Sequence, residues 1–467
     1  MPDPGGAPTI ALRDVSNRPP VNRADAPYQL FLGTGLALAL LGGFTLGMLL
    51  PIARALEWDW GSRWQELVQS HGQLQLVGFA GLFIAGMALR LMPRFAGRPL
   101  AYAALAPATV VLMGSGVALR SVAPFFDQRV PHDVAFAAAG VLMLAGSVAF
   151  SAMILGTLLH SESKAEATGW FFVLGTVAMV LAATANLLLT ARAIDGGVRL
   201  LPPGENNALV SFQLYGVVLT FIGGVTTRAV ATLAGHQRSQ VAARLAATML
   251  TMGAALYAAA SLIGAVREPS ASLNRLADAS LLIISAALLL IVWASGIFHA
   301  RANRVASASQ RPFLFVRAAC AWLVASSLLL GWYAALAFAR AEALDQFEVD
   351  AVRHMITVGA VTMMIIGMAM LVVPEFAGRR LQHPREGGVV RSMFVAINLG
   401  AALRVWPAIE GVGWLSSTRY WPMATAGVLV LAVIAIFTWM FVQSYVEQRR
   451  PGWASPEALA RRPGQTS

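Results

Sequence analysis

Twelve apolar stretches, each long enough to cross a bilayer, constrain this chain more than any other feature. They lie at residues 28–52, 65–92, 103–119, 134–159, 168–191, 208–234, 243–265, 278–298, 313–338, 350–373, 389–408 and 421–444. A helix needs about 20 apolar residues to cross a ~30 Å hydrocarbon core. Lipid offers no partner for a bare N–H or C=O, so each stretch has to close its own hydrogen bonds as a helix. The loops are short and hold nearly all the Arg, Pro, Asp and Glu. Charged residues make up 12% of the chain, against about 25% in an ordinary soluble protein. That fraction cannot cover a water-facing surface, which excludes a soluble enzyme and a disordered chain. The expected fold class is therefore all-α, a polytopic integral membrane protein of about twelve helices. Residues 28–448 read as a single twelve-helix membrane domain between a flexible N-terminus (1–27) and a polar tail (449–467). The first span is too long for the short apolar region of a cleavable signal. The one cysteine, Cys320, excludes a disulfide framework, a zinc ribbon and a cysteine-ligated iron–sulfur cluster.

The net charge of +11 could suggest nucleic acid, but its placement argues otherwise. With the N-terminus inside, the inner segments hold 19 Arg and Lys, the outer loops 12, and Arg90, Arg228 and Arg317 sit within spans. Acids divide 9 inside and 14 outside. The inner face then carries an excess of ten positive charges, and both termini are expected in the cytoplasm. The basic charge sets orientation and attracts anionic lipid; no nucleic-acid partner is implied.

The spans repeat. Residues 77–100 (VGFAGLFIAGMALRLMPRFAGRPL) and 358–381 (VGAVTMMIIGMAMLVVPEFAGRRL) are identical at 12 of 24 positions without a gap. A weaker copy, 215–238, matches the first at 7 of 24, including Gly216, Phe221, Gly224, Arg228 and Gly235. The copies fall on spans 2, 6 and 10, with Gly86, Gly224 and Gly367 at nearly even intervals along the chain. This predicts three groups of four helices with pseudo-threefold symmetry about the membrane normal. Spans 2, 6 and 10 would line the centre, and the glycines would allow close helix approach. Pro93 and Pro374 are expected to end their helices.

Two of the seven histidines lie in these special spans. His71 is expected about two turns into span 2, and His354 about one turn into span 10, both toward the outer face. A histidine inside a span is a functional candidate. Two neutral imidazoles on separate helices at similar depth are suited to the axial positions of one b-type haem. The competing reading has each imidazole capping a helix start or bonding another helix. His160, His236, His299 and His383 lie at inner ends or loops and read as polar surface; His132, beside Asp133, reads as a helix-start residue. No pair has His-x-x-x-His spacing, so copper is not supported by spacing. Cys320 and Met363, Met364, Met368 and Met370 read as packing residues.

At these residues the sequence resembles the NnrS family, twelve-span bacterial membrane proteins linked to the nitric oxide response and described as containing haem and copper. His-Met-Ile-Thr-Val-Gly (354–359) is similar to the family's His-x-x-Thr-Val-Gly, and Gly-Arg-Pro-Leu (97–100) to its helix exit. The segment 401–405 through Trp421 resembles the family's helices 11 and 12, Phe221–Gly235 its sixth span, and Pro312–Trp322 its ninth. The chain departs where the family's second helix usually reads His-x-His-Glu-Met; here His71-Gly72-Gln73-Leu74-Gln75 keeps only the first histidine. The family's helix 9 histidine is missing around Arg317–Trp322. The resemblance implies the bacterial inner membrane and one haem, and these departures leave copper without its expected ligands. A more distant similarity in architecture links the chain to subunit I of haem-copper oxidases, where histidines of helices 2 and 10 ligate a low-spin haem and arginines past helix 11 meet its propionates. Arg404 is similarly placed and is the expected propionate partner. The oxidases' copper histidines on helices 6 and 7 have no counterpart.

Three functions follow as expectations. One is a haem protein of nitric oxide tolerance or of electron transfer, meeting a small gas or a respiratory redox partner. Another is a cofactor-free transporter, since internal repeats are typical of transporters, although Glu66 and Asp278 lie near span ends. The last is an assembly factor for a respiratory complex.

Overall fold

The computed structural model describes residues 28–61, 63–161, 166–236, 239–267, 270–299, 310–377, 387–409 and 418–447, without the side chains of 374–377 and 445–447. The flanking segments 1–27 and 449–467, His383 and residues 378–381 of the second exit motif lie outside what is described. Twelve helices are long and apolar enough to cross a membrane. They are α1 (Tyr28–Ala55), α2 (Arg63–Ala96), α3 (Ala103–Phe125), α4 (Arg129–Leu158), α5 (Ala167–Asp195), α6 (Pro203–Leu233), α7 (Gln240–Val266), α8 (Ala271–Ser295), α9 (Gln310–Arg340), α10 (Gln346–Val373), α11 (Gly387–Ala408) and α12 (Tyr420–Ser444). Among the described residues there is no strand. The chain is thus an all-α, multi-pass membrane protein.

Local sequence sets the helix ends. Ser239 and Ser270 accept from the N–H groups of Ala242 and Leu273, both at 3.3 Å, and start α7 and α8. Asp345 and Glu348 form a reciprocal capping box at the start of α10, with bonds of 2.7 and 2.9 Å. Neither Pro93 nor Pro374 ends its helix, since helical backbone continues past Pro374 to Ala377 and past Pro93 in the second helix. The second helix runs on to Ala96 and ends at Gly97, whose φ of +64° suits a residue without Cβ. Gly235 follows Gly224 at the same offset as Gly97 follows Gly86, and it ends α6 with φ +68°. The two caps share the repeat's register.

Packing follows the predicted symmetry. In their most apolar windows α2, α6 and α10 bury 61%, 89% and 78% of residues, against 33–50% for the other nine helices. These three form the centre, and α12 packs on α1 to close the outer ring. Each repeat glycine seats an aromatic residue of the helix before it. A Cβ on Gly86 would lie 2.7 Å from Cβ of Phe31 (α1); on Gly224, 3.0 Å from Phe171 (α5); on Gly367, 2.9 Å from Phe315 (α9). Small residues at these crossings let the helices meet.

The three central helices share a second, less expected feature. Each widens into a π-helix: Leu74–Gly81 in α2, Phe212–Val218 in α6 and Met355–Thr362 in α10. Leu74, Phe212 and Met355 precede Gly86, Gly224 and Gly367 by the same offset, so the widening keeps the register of the repeat. Thr220 and Thr362 donate to the carbonyls of Tyr215 and Thr357, five residues back, at 3.2 and 2.8 Å. Their hydroxyls therefore satisfy carbonyls that the widening releases. Such segments are uncommon and cluster at functional sites.

Candidate functional site

Polar residues begin α2, α6 and α10 before their apolar windows, so these helices extend beyond the spans read from hydropathy. His354 is consequently the ninth residue of its helix, as His71 is of α2. Both lie two turns in. The expectation of one turn for His354 fails because the capping box starts α10 at Gln346 rather than at residue 350.

The two imidazoles line one cavity of about 500 Å³, walled by α1, α2, α6, α10, α11 and α12. Each ring is held through Nδ1. In His71, Nδ1 donates to the Gly43 carbonyl at 2.8 Å, and Gly43 closes a π-helical segment of α1, Ala39–Gly43. In His354, Nδ1 donates to the Asp350 carbonyl at 2.9 Å and lies 3.1 Å from Asp350 Oδ1. Both partners can only accept, so each Nδ1 carries hydrogen, and in the neutral ring the lone pair is on Nε2. A ring nitrogen fixed in this way leaves the other nitrogen oriented as a ligand. Space for His71 comes from Gly47, where an added Cβ would lie 2.9 Å from His71 Cε1.

Arg404 also lines the cavity, but its guanidinium is engaged. It grips Asp350 with both ends, at 2.8 and 3.0 Å. Asp350 therefore joins His354 to Arg404, and it is the missed residue of the site. Its spacing, four before His354, was visible in the sequence; its pairing with α11 was not. Two further cations line the same wall. Arg54 lies over the Trp64 ring at 4.3 Å. Arg353 donates to the carbonyl and Oδ1 of Asn207 at 3.1 and 2.5 Å and to Ser211 Oγ at 2.9 Å, while its buried Nε has no partner among the described residues. Three guanidinium groups face one carboxylate, so the lining carries two excess positive charges.

The other histidines are apart from this cavity. His132 is the fourth residue of α4, a helix-start residue as expected, and it is buried: it is 1% exposed, with Nδ1 3.0 Å from Asp133 Oδ1 and Nε2 3.8 Å from Glu66 Oε2. Glu66, also buried, accepts from Arg199 at 3.2 Å. Gln69 ties this outer network to the cavity it borders, accepting from Arg120 at 3.2 Å and donating to the Leu201 carbonyl at 2.6 Å. Exposed His160 bonds the Gly156 carbonyl at 3.0 Å. His236 and His299 stack with ring centroids 4.8 Å apart. Cys320 is fully buried, as a packing residue should be. Among the described residues no group of three or more His, Cys, Asp or Glu is placed to hold a metal ion.

Gln73 and Ser211 occupy the repeat positions equivalent to His354. Gln73 instead exchanges two hydrogen bonds with Gln213, at 3.1 and 3.3 Å, and so pins α2 to α6. The imidazole pair is a departure from the symmetry that surrounds it.

Comparison with known proteins agrees with the architecture. No curated protein matches the chain. The model of one family, described as NnrS protein, matches residues 25–449, nearly the whole length, and the chain belongs to the NnrS family.

Proposed function

We propose that this protein is an NnrS-type membrane haem protein, in which His71 and His354 hold one b-type haem near the outer face. The reading is carried by one observation. Two imidazoles, each the ninth residue of its helix, share one cavity, each with Nδ1 donating to a carbonyl so that a neutral ring offers Nε2 as a ligand. The donor set fits the group: two neutral nitrogen ligands suit the iron, and the two excess positive charges of the lining suit two propionates. Arg404, oriented by Asp350, is one propionate partner. Arg54 and Arg353 are better free to serve, because neither is paired with a carboxylate among the described residues. Copper gains no support from these residues.

Such a haem supplies one-electron chemistry, and gas binding where an imidazole leaves. The chain's own part is to fix both rings, balance the anionic edge and keep lipid out. Filled axial positions favour electron transfer or gas-triggered ligand exchange, in the setting of the nitric oxide response. The partners are the bilayer, a small gas such as nitric oxide and a respiratory redox protein. The inner-membrane location, both termini in the cytoplasm and a single membrane domain spanning 28–448 belong to the same proposal.

The absorption spectrum of protein purified from haem-replete cells tests it. A Soret band is expected in the wild type and its loss in both His71→Ala and His354→Ala. Haem-free wild-type protein overturns the reading.

A further inference from the structure

A second, partly enclosed pocket lies where α2, α6 and α10 meet, with Phe172 of α5 at its edge, and every lining side chain is apolar. Its walls repeat the internal symmetry. Ile84, Ile222 and Ile365 line it from three helices, each at the same offset before its repeat glycine. The position before each is Phe83, Phe221 and Met364, which line it too. The repeat has therefore built a chamber where its three units meet. It sits just inward of the histidine cavity: Thr362 lines that cavity and Met364 lines this one.

Its volume is about 60 Å³, against roughly 10–15 Å³ for a single water on that measure. The pocket is only partly enclosed, since Ile84, Met87, Leu91 and Val225 are partly exposed, but a water there would lack the two to four polar partners that hold ordered water. Side chains lining an apolar pocket of this size have few partner atoms on the pocket side, and so weak dispersion contacts there. A small apolar molecule restores them without any hydrogen bond, and the thioethers of Met87, Met364 and Met368 add polarizable surface. Apolar gases are also more soluble in the surrounding hydrocarbon than in water.

We propose that this chamber is a docking site for a small apolar gas, the class that includes xenon, dioxygen and nitric oxide. The site is separate from the histidine pair and does not require haem.

Xenon is the probe. Full-length protein in lipid nanodiscs, labelled at the methionine methyl groups, is titrated with dissolved xenon and followed by NMR. The methyl resonances of Met87, Met364 and Met368 are expected to shift and saturate. Met252, 57% exposed on α7, reports gas dissolved in lipid and should respond linearly. Ala369→Leu and Ala88→Leu fill the chamber from different helices and should abolish the saturable shifts; Ile365→Val enlarges it and should strengthen them. Chamber methyls that respond only as Met252 does, including because a lipid tail occupies the space, overturn the proposal. So do saturable shifts that survive both filling substitutions. A haem-free protein that binds xenon would sink the haem reading alone; a haem-bearing protein that does not would sink this one alone.

Discussion

His71 and His354 are defined less by their own chemistry than by what holds their Nδ1 atoms. Asp350 is central, since it receives His354 and both ends of Arg404. Its removal leaves Arg404 without a carboxylate and the His354 ring less constrained. Partners of this kind typically matter about 10–100-fold in metal affinity. Asp350→Ala should therefore speed loss of haem to an excess of apomyoglobin by roughly that factor, with the folded state unchanged by circular dichroism. Transfer at the wild-type rate would show that Asp350 does not position the site. Two cavity histidines could be picked from the sequence because imidazoles are scarce inside spans. Asp350, Arg54 and Arg353 could not, because acids and arginines near span ends are ordinary. Only the cavity distinguishes those that face one another.

Helix α1 shows how an element serves the site. It presents the Gly43 carbonyl to His71 and, one turn later, leaves a gap at Gly47 for the ring. Gly47→Val should displace the imidazole and reduce haem content at least as much as His71→Ala, without loss of membrane insertion. Normal haem content in this variant would mean the ring can relocate. The repeat glycines make a different prediction, about stability. Gly86→Leu and Gly367→Leu drive a side chain into Phe31 and Phe315. Overpacking typically costs about 1–3 kcal/mol, so each should lower the detergent-solubilised melting temperature. Unchanged melting would show that the helices can part at no cost. The π segments were not legible beforehand. Hydropathy reports which face is apolar, not whether a turn holds one residue more, although Thr220 and Thr362 stand where a released carbonyl could be satisfied.

At the scale of the molecule, the symmetry creates three equivalent interfaces and the chain fills them differently. Between α10, α11, α12, α1 and α2 lies the cationic histidine cavity. Between α6 and α10 the space narrows to about 10 Å³, partly closed by Tyr215, Tyr257 and Tyr333. Between α2, α3, α4 and α6 the Glu66, Arg120, Gln69 and His132 network occupies the interior. Of these three interfaces, the described residues leave a cofactor-sized opening at the first, on the face read as outer from the arginine distribution. Labelling with a membrane-impermeant maleimide checks that orientation. The only native thiol is fully buried at Cys320, so introduced cysteines report cleanly. Val198→Cys, exposed on the loop after α5, should label in intact spheroplasts, and His160→Cys, exposed on the loop after α4, only after lysis. The reverse pattern would invert the topology and move the site to the cytoplasmic face.

The sequence by itself determined the helical class, the twelve spans, the repeat and the close approach at Gly86, Gly224 and Gly367. These follow from the cost of unpaired backbone in lipid and from spacing along one chain, both local properties. It also singled out His71 and His354, and suggested their depth only roughly. The tertiary structure alone decided that both rings enter one cavity, that Asp350 links His354 to Arg404, and that Gln73 pairs with Gln213 across α2 and α6. It also decided that α2 ends at Gly97 and that Glu66 and His132 are buried together. Those outcomes depend on pairings between helices far apart in sequence, where a polar side chain beyond the apolar window can meet a partner instead of water.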